Sequence, residues 1–418
     1  MTRSVRAVDA ALAVTAVVLL GLGALSLTVK LWRLVGDPGP QGAIDVKYLY
    51  EFTNSWFSGV PIYQREPNAG VTYPPASFAI LWPTYGWLSM AQSRWVWGVL
   101  DLAALATLSG LFWRALRVAG RPAQLCAALA PFSMPPLADA LGIGQTTILV
   151  MALAVGAILL AVRPNPSWLR DLAAAGMFAC ALVKPSVAAP FFLALLIVPS
   201  RLRVSMLTVA IYALLTLVAI QFQSASTSDL IRGWLTQARG NSGMGYGNLQ
   251  DWLFRLGWSD AFPLLALTLL AGLAAVTWRC RRADIWLLLG LAAVVARLWT
   301  YHRVYDDAVM IIALVATGRL ASRPHGPRWL VLSARMTLIV SAIILWIPLQ
   351  FHYVYSTFGP LQVVPSWVVM FNAAHSMVFV GSLILLAAGA LVLRSPQSAV
   401  SPEREGLARP PEPQPRPS

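Results

Sequence analysis

The chain has 418 residues, of which 58% are hydrophobic and 11% charged, whereas a soluble domain carries about 25% charged residues; a soluble globular protein is excluded. Its formal net charge of +14 invites a nucleic-acid reading, but the basic residues are scattered through short loops between apolar runs, the pattern of membrane topology signals. Apolar windows of roughly 20 residues recur along nearly the whole chain, each long enough for a hydrocarbon core about 30 Å thick, and they are continuous rather than alternating, so helices and not a β-barrel are predicted.

The first run, residues 9–29, follows Arg3 and Arg6 and has no small-residue cleavage site, so it reads as a retained span with a cytoplasmic N-terminus. The stretch from Asp45 to Pro75 is too polar to cross a bilayer, and it becomes an extracytoplasmic loop rich in acids, aromatics and turn formers. The next apolar piece, residues 75–91, is short and interrupted by Pro83. Reading it as a re-entrant or interfacial segment keeps Arg114, Arg117 and Arg121 on the cytoplasmic side.

Further spans are predicted near 95–113, 122–138, 145–162, 170–183, 186–199, 204–222, 261–278, 284–299, 305–320, 329–349 and 371–393. With the first run they make about twelve transmembrane helices, an all-α polytopic membrane domain over 1–394 with both termini cytoplasmic. The longer connections, 30–94, 223–260 and 350–370, then share the extracytoplasmic side, where sites are commonly built on a rigid scaffold. The tail 395–418 is rich in Pro, Arg and Glu and is expected to be disordered and cytoplasmic.

Ionisable groups at membrane depth are expensive and usually face a cavity or a partner. Lys184 ends a predicted span, with helix-breaking Pro185 next to it; it reads either as a phosphate contact or as a lysine snorkelling to headgroups. Arg297, Tyr301, His302, Arg303, Asp306 and Asp307 gather at the junction of two spans. Two arginines there suit a phosphate, His302 could supply a donor or move a proton, and the acids could orient the bases or contact sugar hydroxyls. The other reading is an interfacial belt of charges and aromatics. Asp101, inside its span, is expected to make a helix-to-helix hydrogen bond. Asp45, near Tyr48, Tyr50, Trp56 and Tyr73, could act as a general base toward an acceptor hydroxyl, or be a solvated loop acid or helix cap. The 240–251 loop, with Asn241, Gly243, Gly245, Gly247 and Asn248, can bring backbone amides close to a ligand, but no Walker lysine lies within it.

Several of these residues together resemble glycosyltransferase family 87, polytopic enzymes of the GT-C class. The resemblance is carried by Asp45, Val46 and Tyr48; Gly59, Pro61 and Tyr63; Tyr73, Pro74 and Pro75 with the run to Pro83; Gly144 and Gln145; Lys184 and Pro185; Gly247, Asn248 and Gln250; and the segment from Tyr301 to Asp307. It implies transfer of a hexose, typically mannose, from a polyprenyl-phosphate donor to a lipid or glycan acceptor outside the cytoplasmic membrane. It also implies Asp45 as catalytic base, with Lys184, His302 and Arg303 as candidates for the donor phosphate; from the residue chemistry His302 is also expected to serve catalysis and Arg297 to contact that phosphate. Tyr48, Tyr73, Gln145, Asn248, Gln250, Asp306 and Asp307 are expected to contact substrate. Similarity to the phosphatidylinositol-mannoside mannosyltransferases is partial: they carry an Asp-His-His run where Thr300 and Tyr301 precede His302. No metal, other cofactor or nucleic-acid partner is expected. The rival is a transporter or flippase of a lipid-linked saccharide, which predicts ionisable residues deep in several central spans; the notable ones here gather at helix ends, which favours an enzyme.

Overall fold

The structure, a computed structural model, describes residues 3–64, 71–197, 202–240, 247–347 and 366–393. The tail 395–418, most of the 350–370 connection and positions 241–246 of the glycine-rich loop lie outside the described residues. Among those described, every regular element is a helix, and the chain is an all-α polytopic membrane protein.

The α-helices are, in chain order, α1 (Arg3–Leu31), α2 (Ile44–Phe57), α3 (Pro75–Tyr85), α4 (Met90–Ala115), α5 (Arg121–Ser133), α6 (Pro135–Ile143), α7 (Thr147–Ala161), α8 (Trp168–Ala181) and α9 (Pro185–Ile197). They continue as α10 (Leu202–Ile220), α11 (Thr227–Gly240), α12 (Leu249–Arg255), α13 (Phe262–Arg279), α14 (Ile285–Leu298), α15 (Met310–Ala321), α16 (Arg328–Trp346) and α17 (Ser366–Val392). Seven helical segments among the described residues, 7–36, 90–119, 121–143, 202–220, 259–279, 328–346 and 369–392, are long and apolar enough to cross a membrane. Three expected spans, near 145–162, 186–199 and 284–299, are the shorter apolar helices α7, α9 and α14.

Burial differs widely among these helices. Every residue of α14 from Trp286 to Leu298 is buried, packed against α9, α15 and α17, while α1 exposes Val14, Val17, Leu20 and Leu25 and α13 exposes Leu264 and Leu267. Apolar side chains turned outward around a packed interior are what lipid contact demands, since lipid tails are as apolar as leucine. With 14 residues, α14 is about 21 Å long at 1.5 Å per residue, short of a hydrocarbon core of about 30 Å. Short helices at the centre of longer ones leave a recess at their ends. The N-termini of α7, α9 and α15 and the C-terminus of α14 meet there, through Thr147, Lys184, Arg297, Asp306 and Asp307.

Local sequence explains the element boundaries. The expected span 122–138 is divided at Met134, which is extended because Pro135 follows it. Helix α3 starts on Pro75 after an extended Pro74 and is 11 residues long, too short for one crossing. Helix α4 starts in a capping box in which Ser89 and Gln92 satisfy each other's backbone amides. The span expected from residue 305 begins instead at Met310, because 304–309 forms a 3-10 turn that turns neighbouring side chains to different sides. Asp101 does not make the expected helix-to-helix bond: it is buried in α4, and among the described residues neither its carboxylate oxygens nor the Tyr85 hydroxyl has a hydrogen-bond partner.

Candidate active site

The segment between α1 and α2 sets the position of Asp45. Arg94, on α4, donates to three backbone carbonyls just beyond α1, Leu34 at 2.5 Å, Arg33 at 3.2 Å and Asp37 at 2.7 Å. Lys47 donates to the Gly39 carbonyl at 2.6 Å. The chain then enters α2 through Ala43, which adopts a left-handed conformation (φ 48°, ψ 42°) that a non-glycine residue holds only when its surroundings impose it. Asp45 is thereby the second residue of α2, partly accessible, while Val46 beside it is fully buried.

Across from α2 runs the link between α6 and α7. Gly144 is left-handed there (φ +72°), and a Cβ at this position would stand 2.2 Å from Val46 Cγ2 and 3.1 Å from Leu34 Cδ1. Glycine is therefore required twice, by backbone conformation and by the approach of α2. That approach brings Gln145 to Asp45: its Nε2 donates to Asp45 Oδ2 at 2.7 Å. The Gln145 amide is oriented from behind, because its Oε1 accepts from Thr146 N at 2.8 Å and from Tyr73 Oη at 3.2 Å. Gly144→Ala should therefore lower stability by about 1–3 kcal/mol and reduce activity as Gln145 shifts from Asp45. Thermal unfolding measures the first, and an unchanged melting temperature would refute this account of the close approach.

The first residue of α7 belongs to a second set of contacts. Lys184 Nζ donates to Thr147 Oγ1 at 2.9 Å and to Asp306 Oδ1 at 2.6 Å, and Thr147 Oγ1 donates to the same Asp306 oxygen at 2.7 Å. The other Asp306 oxygen, Oδ2, accepts from His302 Nδ1 at 3.0 Å. The Lys184 ammonium lies 5.4 Å from the centre of the Tyr305 ring, within cation–π range. Arg303 donates from Nε to Tyr301 Oη at 3.1 Å.

Charges are distributed unevenly over these groups. Burial pushes the Asp45 carboxyl up to about 7 from an ordinary 3.8; Lys184 and Arg303 oppose this, and the Asp306 charge adds to it. Burial acts on Asp306 as well, but there Lys184 and the His302 hydrogen bond prevail and hold it well below the usual carboxylate range. Burial lowers His302; its Nδ1–H donates a hydrogen bond to the ionised Asp306, which leaves Nε2, buried and without a hydrogen-bond partner among the described residues, as an acceptor. Two carboxylates with opposite shifts share one recess. One is poised to exchange a proton near neutrality, and the other is a permanent anion.

Asp307 serves a different network from its neighbour. Its Oδ1 accepts from Arg297 Nε in a fully buried ion pair, with the guanidinium 5.5 Å from the Phe379 ring; burial pushes Asp307 up to about 6 against the pull of Arg297. On the same side Gly247 N donates to Asn372 Oδ1 at 2.6 Å, and Asn372 Nδ2 donates to Asp251 Oδ2 at 2.8 Å. Asn248 caps α12 by accepting from Asp251 N at 2.8 Å, and Gln250 Nε2 donates to the Trp299 carbonyl at 3.3 Å. Tyr48 is 49% exposed and stacked on Phe52. Of the residues singled out from the sequence, Asp45, Tyr73, Gln145, Lys184, His302, Arg303 and Asp306 thus gather around one recess. Arg297, Asp307, Asn248 and Gln250 buttress it, and Tyr48 faces outward. Thr147, which no motif marked, joins the two halves.

A cavity of about 300 Å³ opens beside the recess between α3, α9, α10 and α11. Pro74, Pro75, Leu182, Pro185, Tyr212 and Trp234 are among its lining residues, and the wall is almost entirely apolar. Two of these follow site residues directly, Pro74 after Tyr73 and Pro185 after Lys184.

The family model for glycosyltransferase family 87 matches residues 72–322, more than half of the chain. The match takes in Tyr73, Gln145, Thr147, Lys184 and the 297–307 groups, and begins after Asp45. No curated protein and no solved structure matches the chain.

Proposed function

We propose, for a chain that belongs to glycosyltransferase family 87 and is therefore a glycosyltransferase, that it transfers a hexose, mannose by family resemblance, from a polyprenyl-phosphate donor to a hydroxyl of a lipid or glycan acceptor. The reaction takes place on the extracytoplasmic face of the cytoplasmic membrane, where the long connections of the predicted topology lie. The observation that carries this reading is the pairing of a carboxyl poised near neutrality, Asp45, with a cationic group, Lys184, in one recess, with an apolar cavity lined by the prolines that follow Tyr73 and Lys184.

The chemistry is a single displacement. Ionised Asp45, oriented through Oδ2 by Gln145, takes the acceptor hydroxyl proton as that oxygen forms its bond to the anomeric carbon. The carbon–oxygen bond to the donor phosphate breaks with its electron pair going to the phosphate. A phosphate leaving group needs charge stabilisation rather than protonation, and preorganised cations supply it without reorganisation. Lys184 has three N–H donors, two of which go to Thr147 and Asp306, so the third is available to an anion; Arg303 adds a second cation. The apolar cavity suits the isoprenoid part of the donor, whose transfer from water favours such a lining.

The test is transfer by the purified protein from a β-linked polyprenyl-phosphate mannose to a mixed lipid extract. A single displacement yields an α-linked product. A β-linked product would overturn the mechanism, and no transfer from any polyprenyl-phosphate sugar would overturn the donor class.

A further inference from the structure

We propose that Thr147 is a positioning residue for the reaction, holding the Lys184 ammonium in the orientation that receives the donor phosphate; the proposal rests on the reading of Lys184 as a phosphate contact. The observation is the closed triangle of hydrogen bonds among Lys184 Nζ, Thr147 Oγ1 and Asp306 Oδ1, with sides of 2.9, 2.7 and 2.6 Å. An ammonium only donates and an ionised carboxylate only accepts, so the hydroxyl between them has one possible orientation: it accepts from Lys184 and donates to Asp306. Thr147 is fully buried, and water does not compete for either bond.

The consequence concerns the lysine more than the threonine. A lysine ammonium is a compact charge on a flexible four-carbon stem, and opposite a lone carboxylate it settles where it gains the most from that partner. The Thr147 hydroxyl occupies one N–H and one side of the Asp306 oxygen, which fixes the ammonium at a corner of the triangle and directs its remaining N–H away from Asp306. Without the hydroxyl, the ammonium is left to swing about its 2.6 Å contact with Asp306, and its remaining N–H loses its fixed direction toward a phosphate.

Thr147 also couples the two halves of the site through the backbone. Gln145, two residues earlier, holds Asp45, and Thr146 between them bonds the Gln145 side chain through its backbone N and its hydroxyl. The three residues lead from the constrained Gly144 into α7, of which Thr147 is the first residue. One short rigid segment thereby sets the separation between the base and the cation, and near-attack geometry depends on such spacing.

The test uses farnesyl phosphate as a probe for a phosphate on an isoprenoid, with binding to the purified full-length protein followed by calorimetry. Thr147→Val keeps the shape and removes the hydroxyl. It should weaken binding by about ten- to hundredfold, the effect of a hydrogen bond to a charged group. Thr147→Ser keeps the hydroxyl and should restore binding to within about threefold of the original, a rescue that packing alone would not produce. The melting temperatures of both variants serve as the control for folding. If the original protein binds the probe and Thr147→Val binds it equally well, the assignment of Thr147 is overturned while the phosphate reading stands. If the original protein does not bind the probe, the phosphate reading falls and takes this role of Thr147 with it.

Discussion

Asp45→Asn lowers the transfer rate by about 10²- to 10⁴-fold, the usual contribution of a general base, while the protein remains folded. Asparagine keeps the size of the side chain and an oxygen for Gln145 Nε2 to donate to, but it cannot receive the acceptor proton. The pH profile gives a second reading of the same group. Only ionised Asp45 can act as base, and burial places its titration at about 7, so kcat/KM of the unmodified protein should rise with pH through about 7 and level off above it. Stability moves in the opposite direction. The folded protein holds the Asp45 proton more tightly than the unfolded chain, whose carboxyl has the ordinary value of 3.8; between these two values the folded state binds more protons, and stability falls as pH rises. The asparagine of the variant does not titrate. Asp45→Asn is therefore expected to melt at a higher temperature than the original above pH 7, and at a similar temperature near pH 4. A variant that is inactive and also less stable at pH 8 would mean that Asp45 supports the fold rather than the chemistry.

Much of the site was legible because charge is rare in this chain and costly at membrane depth. Lys184 before Pro185, the 297–307 cluster and the polar stretch from Asp45 stand out against apolar surroundings, and all three contribute to the recess. Features that depend on geometry were not legible. Asp306 and Asp307 are adjacent acids in the sequence, and only the 3-10 turn sends one to Lys184 and the other to Arg297. Arg297 reads as a phosphate contact from its charge, yet it is fully buried against Asp307, so its guanidinium acts through the turn that carries Asp306. Thr147 has neither charge nor motif to mark it, and its significance arises from two partners 37 and 159 positions away. Hydropathy has a similar limit: α7, α9 and α14 are as apolar as crossing helices but shorter, and periodicity does not separate a crossing from a short buried helix. The transporter reading had weighed the same charges, and membership of a glycosyltransferase family resolves that choice in favour of the enzyme.

Lys184→Met and Asp306→Asn should both impair transfer, yet they should displace the pH profile in opposite directions. Loss of a preorganised donor to a developing oxyanion costs about 10²- to 10³-fold in kcat, and Lys184→Met is expected to fall in this range. The variant also leaves Asp306 buried without the strongest of the influences that keep it ionised; stranding one partner of a buried pair costs about 3–5 kcal/mol. Asp306→Asn relieves that penalty, so the double variant should be more stable than Lys184→Met alone. The effect on Asp45 follows from the sign of each charge. Lys184 favours ionised Asp45 and Asp306 disfavours it. Removing the lysine therefore moves the acidic limb of the kcat/KM profile above about 7, and removing the acid moves it below that value. Residual activity is sufficient for the measurement, because only the position of the limb is needed. Limbs that stay in place in both variants would show that Asp45 titrates independently of this pair, and the base and the phosphate clamp would then not share one electrostatic site.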